Sequence, residues 1–267
     1  MYHAHWGLVK SPFRSCLDPH SFYESPTHEE ALARLHFLVE QRRRLGLLMG
    51  PSGSGKSLLL EVFAGQLRRY GCAAANASLL GIGPAEMLGL LAADFGLNLH
   101  PAAPISRLWR ALADRLAEFR YQQTAAIVLL DNADRAERET IRQVARLVQH
   151  DPSPESRLTV VLAGRRGQMS HLGKPLLELA ELRIDVEPWE VADTASFLKS
   201  SLAQAGCQSP IFDEPAVARL HALTHGIPRE VSHLADLALL AGAGAELERI
   251  DADVVESVYR ELGVVEV

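Results

Sequence analysis

The chain has 267 residues, 48% hydrophobic and 22% charged, so it can bury a sizeable core and is no disordered segment. Its 27 basic and 33 acidic residues leave a net charge of −6, which gives no global field for nucleic acid. Aromatic residues at only 6% favour helices and buried parallel strands over a β-sandwich. Three dispersed cysteines, Cys16, Cys72 and Cys207, are too few for a disulfide framework and point to a reducing, cytoplasmic setting. The N-terminus lacks the layout of a signal peptide. No apolar run approaches the ~20 residues a membrane span needs, so no direct membrane insertion is expected.

The first 26 residues, with Pro12, Pro19 and a spread of aromatic rings, read as an irregular arm that packs by its rings and is not helical. From Thr27, a candidate cap with Glu30 three positions on, apolar residues recur at helical spacing. Arg42, Arg43 and Arg44 close that helix, where cations suit the dipole; a solvated helix end is the plainer reading of this triplet than a phosphate contact. Strands are expected over 45–49, 72–78, 125–130, 158–163 and 182–186, with helices over 58–70, 85–96, 105–121 and 137–150 between them. After Pro188 the strand signal stops. Helices are expected over 191–205, 214–224, 229–241 and 252–262, with Asp213 and Asp251 as caps. The alanine–glycine patch 241–245 reads as a loop. The division is therefore an arm over 1–26, an α/β domain over 27–188 and a helical domain over 189–267.

Chemistry concentrates in Gly50-Pro51-Ser52-Gly53-Ser54-Gly55-Lys56-Ser57, followed by Leu58. It has the phosphate-loop spacing and stands after a strand and before a helix, as the mechanism requires. Glycines let the backbone N–H groups curl around phosphate oxygens, and the next helix presents its positive end to the same anion. Lys56 would bridge the β- and γ-phosphates of ATP or ADP, and the Ser57 hydroxyl would ligate Mg²⁺. Asp131 closes a fully apolar strand, the place for the second metal-side carboxylate. Lys56 and Asp131 stand 75 positions apart, room for a strand between the two motif strands. That is the arrangement of the AAA+ and RecA-like P-loop NTPases: a parallel sheet with helices on both faces, here followed by a small all-α lid. Scattered histidines show no metal-ligand spacing.

The arm (Tyr2, Trp6-Gly7-Leu8, Pro12-Phe13, Asp18-Pro19, Phe22-Tyr23), His28-Glu29-Glu30, the phosphate loop, Leu129-Leu130-Asp131 and Gly226-Ile227-Pro228-Arg229 together resemble the AAA+ ATPase domain of the general secretion pathway protein A family. More loosely, the chain is similar to transposition and origin-recognition AAA ATPases. The resemblance implies that Pro12, Phe13 and His28 lie against the adenine base. It implies that Arg229, after Pro228, reaches the γ-phosphate from the lid, and that Arg183 is the finger offered to a neighbouring subunit in an ATP-dependent homo-oligomer. Arg165 and Arg166 compete for the finger role, and a plain surface arginine is an equal reading of Arg183.

The chain departs from that family at Asn132, where relatives have the glutamate that polarises the attacking water. An amide can orient water but cannot take its proton, so hydrolysis should be slow unless Asp134 substitutes. The polar residue usual at the end of the fourth strand is also not evident before Gly164-Arg165-Arg166. The expectation is an ATP-binding AAA+ protein, a slow ATPase acting as assembly factor or motor in a secretion- or pilus-like system. The alternatives are a nucleotide-loaded switch or scaffold, or a DNA-associated transposition-type regulator.

Overall fold

The computed structural model describes residues 2–13, 18–153 and 155–265. Met1, Cys16 and Pro154 lie outside the described residues. In chain order the elements are α1 (Tyr2–Trp6), α2 (Pro26–Glu40), β1 (Leu45–Met49), α3 (Lys56–Arg69), β2 (Ala73–Ser78), α4 (Pro84–Asp94), α5 (Ile105–Tyr121), β3 (Ala126–Asp131) and α6 (Arg138–Val148). They continue as β4 (Leu158–Gly164), α7 (Lys174–Glu178), β5 (Leu182–Asp185), α8 (Val191–Gln204), α9 (Glu214–Thr224), α10 (Pro228–Gly244) and α11 (Ala252–Val265). Short 3₁₀ turns cover Pro19–Ser21, Ala133–Arg135 and Arg166–Leu172.

Two compact units emerge. One comprises His28–Pro51 and Lys56–Val186; the other comprises Met1–Thr27, Ser52–Gly55 and Glu187–Val267. The first is built on a five-stranded parallel sheet of order β2-β3-β4-β1-β5. β1, β3 and β4 are short apolar runs, buried on both faces because parallel crossovers lay helices over the sheet, while the outer strands β2 and β5 are partly exposed. Leu47, Val128, Leu130, Val160 and Leu162 share a core with Leu88, Leu112 and Val144 from α4, α5 and α6. The intervening residues Leu48, Ile127, Leu129 and Val161 are equally buried. β4 lies between β1 and β3, so the two strands that carry the motifs are separated by one strand.

The second unit packs α8 to α11 around Leu220, Leu234, Leu239 and Ile250, and the arm contributes Trp6, Leu8 and Phe13 to that core. The Trp6 indole N–H donates to the Leu239 carbonyl at 2.9 Å, and the Tyr2 hydroxyl donates to Asp236 at 2.7 Å. Asp213 caps α9 through the Ala216 N–H, and Asp251 accepts from Val254 N–H.

Three expectations need correction. Tyr2–Trp6 is helical, since burial of Trp6 ties the segment down. Thr27 lies inside α2 and does not cap it; its hydroxyl accepts from the Glu187 N–H at 3.2 Å. The patch at 241–245 is the end of α10, not a loop. Alanine holds the helix, and a side chain at Gly242 would press on the Trp6 ring at 3.0 Å.

Candidate phosphate-loop site

β1 ends at Met49 and the loop begins at once. Gly53 and Gly55 have φ of +82° and +88°, values that glycine adopts without steric cost, and Ser54 is fully buried. The Lys56 Nζ donates to the carbonyls of Gly50 at 3.1 Å and Pro51 at 2.7 Å, which folds the lysine over its own loop. Leu58 is half-buried in the first turns of α3. Ser57, one residue into that helix, donates its hydroxyl to Asp131 Oδ2 at 2.5 Å. A hydroxyl and a carboxylate thus converge, the hard oxygen donors that suit Mg²⁺ better than a soft metal. The second Asp131 oxygen accepts from the Asn132 N–H at 2.8 Å.

Asn132 turns the chain with φ of 54° and ψ of 33°. Asparagine is among the few residues that enter this left-handed region readily, so backbone geometry supplies its own reason for an amide here. Its Nδ2 donates to the Ser78 hydroxyl at 3.0 Å. Ser78 ends β2 opposite Asp131 in the register, and the sequence reading misses it; its one signal is a hydroxyl closing a small-residue strand. Asp134 is buried and accepts from Arg165 Nε at 2.7 Å. That pairing turns its carboxylate to the end of β4. Arg166 pairs with Asp185 at 2.8 Å. Arg183 is exposed on β5, one of the two edge strands, and among the described residues its guanidinium has no partner.

In the helical unit, Gly226 needs to be glycine. Its φ is +68°, and a Cβ would stand 2.2 Å from the Trp189 carbonyl oxygen, whose own N–H donates to Gly226 O. The turn delivers Ile227 and Pro228 to the start of α10, and the Arg229 N–H donates to the Gly53 carbonyl at 3.2 Å. A Cβ on Gly53 would meet Arg229 Cβ and Ile227 Cγ2 at 3.0 Å. The Arg229 guanidinium is exposed with no bonding partner among the described residues. Phe13 is buried against Phe197 and Phe212, so its ring is committed to the helical core; Pro12 is half-buried beside it. His28 is buried in the first turn of α2.

Residues 39–172, half of the chain, match the AAA domain family. The chain is 28% identical over 271 aligned positions to the general secretion pathway protein A of Aeromonas hydrophila, covering 99% of this chain and 49% of that protein. It therefore spans about half the length of that curated relative. Among solved structures it is similar to the Cdc6p protein of Pyrobaculum aerophilum, at 17% identity and TM-score 0.70, covering 95% of this chain and 71% of that one. The Aeropyrum pernix Orc1 protein, solved in complex with DNA, gives 17% and 0.68 over 92% and 68% of the two chains. The Thermotoga maritima RuvB Holliday junction branch migration motor gives 14% and 0.62 over 94% and 73%. At these identities the solved structures speak for the fold.

Proposed function

The chain belongs to the AAA domain family, and on that premise we propose that it binds ATP and ADP with Mg²⁺ and hydrolyses ATP slowly. The observation that carries the reading is the convergence of Ser57 and Asp131 beside a glycine-turned loop. Lys56 would exchange its two carbonyl partners for β- and γ-phosphate oxygens. Bound Mg²⁺ would neutralise phosphate charge next to the Ser57 hydroxyl and the Asp131 carboxylate. Arg229, free at the start of α10 and tied by its N–H to Gly53, is suited to a further phosphate contact. Asn132, which lacks a proton-accepting carboxylate, supports slow turnover.

The biological reading is an assembly factor in a secretion-type system, supported by a similarity that runs over 99% of this chain and 49% of general secretion pathway protein A. Among the described residues no helix is long and apolar enough to cross a membrane, and we place this work in the cytoplasm. Arg183, on an edge strand and without a guanidinium partner among the described residues, supports ATP-dependent self-association. The reading is tested by calorimetry with ADP and Mg²⁺, beside light scattering with an ATP analogue. Lys56→Ala should weaken nucleotide binding at least tenfold, and Arg183→Ala should prevent assembly without affecting binding. Unchanged affinity in the Lys56 variant would refute the site.

A further inference from the structure

The parallel sheet brings the starts of all five strands to one edge, and two Arg-Tyr pairs stand there. Arg69-Tyr70 leads into β2 and Arg120-Tyr121 ends α5 ahead of β3, and Ala73 of β2 pairs with Ala126 of β3. Tyr70 is 76% exposed and Tyr121 is 89% exposed. Tyr70 stands edge-on to His36, with ring centroids 6.1 Å apart.

Further along the same edge, Arg157 precedes β4 and Arg42, Arg43 and Arg44 precede β1. A crevice of about 470 Å³ opens beside Arg42, Arg43 and Arg44, lined also by Gln149 and by the carboxylates Glu178 and Glu181. Among the described residues, two of these arginines use their charge on a carboxylate: Arg43 on Glu181 and Arg120 on Asp151. Arg44, Arg68, Arg69 and Arg157 donate to the neutral groups of Pro152, Ala74, Gly65 and Gln123, and Arg42 has no side-chain partner among the described residues. Five arginines are thus without a carboxylate partner for their guanidinium among the described residues, against the nearby Glu40, Glu155 and Glu178. From β2 to β1 the edge covers three strand intervals, about 14 Å.

Helix dipoles explain arginines in last turns. They explain neither tyrosine, since a nearly bare ring gains nothing from folding. Arg42 also holds φ of 51° at the end of α2, where glycine is the relaxed choice.

We propose that this edge binds single-stranded nucleic acid, its arginines meeting successive phosphates and Tyr70 and Tyr121 offering faces on which bases stack. A charged track joined to exposed aromatic rings is the physical requirement for sequence-tolerant single-strand binding. The overall charge of −6 does not oppose this, because interactions beyond the ~10 Å screening length are damped.

The test is fluorescence anisotropy of a labelled 20-residue oligothymidylate against the full chain, from low to physiological salt. Neutralising about three phosphates predicts a log–log salt slope near −2. The double variant Arg42→Ala/Arg69→Ala should bind at least tenfold more weakly with a shallower slope. Tyr70→Ala/Tyr121→Ala should also lose at least tenfold, with the slope unchanged. Lys56→Ala, which reports on the nucleotide site, should leave oligonucleotide affinity as it is. The proposal is overturned by no binding at low salt, by binding that ignores both double variants, or by tighter binding of a duplex of equal length. Equal competition by polyglutamate would also overturn it, by marking the edge as a surface for an acidic protein.

Discussion

Arg165, the first residue beyond β4, donates to an Asp134 carboxylate that is only 2% exposed. The pair links the turn after β3 to the end of β4, the strand lying between the two motif strands. Gly164 leaves room for it: a Cβ there would come within 2.9 Å of Asp134 Oδ1. Asp134, the first carboxylate after Asn132 in sequence, is therefore engaged by an arginine.

Asp134→Asn should accordingly act on stability more than on chemistry. Losing a buried charge-assisted hydrogen bond costs about 1–3 kcal/mol. The urea midpoint should fall, while turnover at saturating ATP stays within a few-fold of the parent. Abolished turnover in a fully folded variant would instead show that Asp134 has taken over as the base.

Gly226→Ala should be among the most damaging substitutions in the helical unit. It puts a methyl group 2.2 Å from a backbone oxygen and asks alanine for φ of +68°, so no flexible side chain can yield. A loss above about 2 kcal/mol is expected. Gly244→Ala is the contrast, because nothing lies within 4 Å of its Cβ position and it falls at a helix end. Thermal unfolding of the two variants should differ in sign, and similar melting temperatures would contradict this account.

Burial pushes the Asp151 carboxyl up, but the neighbouring Ser153, whose backbone N–H donates to it at 3.1 Å, and the charge and hydrogen bond of Arg120 outweigh it and hold the group below the ordinary aspartate value. A carboxylate with a depressed folded-state pKa contributes stability that is complete above its unfolded value, near 4, and is lost as pH falls through the folded value. The parent should therefore lose more stability than Asp151→Asn between pH 5 and 3. Parallel stability curves over that window would remove Asp151 from the account.

The central strands were legible because each is a short apolar run closed by a turn or a polar residue, as Leu45–Met49 and Ala126–Asp131 are. The phosphate loop was legible because its spacing is dictated by phosphate geometry. What sequence could not supply is pairing across the chain. Ser78 and Asn132 stand 54 positions apart, and Asp134 and Arg165 stand 31 apart. Both pairs depend on strand order, and strand order is set by crossovers that leave no local pattern. The arm defeated helical periodicity because five residues, Tyr2–Trp6, are too few to display it.

On the proposed function, turnover depends on Asn132. It sits in the left-handed region with its amide donated to Ser78, so two demands meet at one position: a backbone that asparagine tolerates and a water that wants a carboxylate. Asn132→Glu should raise turnover at saturating ATP at least tenfold. The longer side chain should cost up to about 1 kcal/mol, because glutamate enters this backbone region less readily. Asn132→Asp separates the two effects: it keeps the backbone preference, and the Ser78 hydroxyl can donate to the new carboxylate, but its reach is that of the parent amide. The Asp variant should therefore be as stable as the parent and gain less in rate than the Glu variant. Phosphate release measured for all three proteins, beside their melting temperatures, decides the matter. A folded Asn132→Glu protein no faster than the parent would mean that some other group positions the water, and slow hydrolysis could not then be laid on this amide.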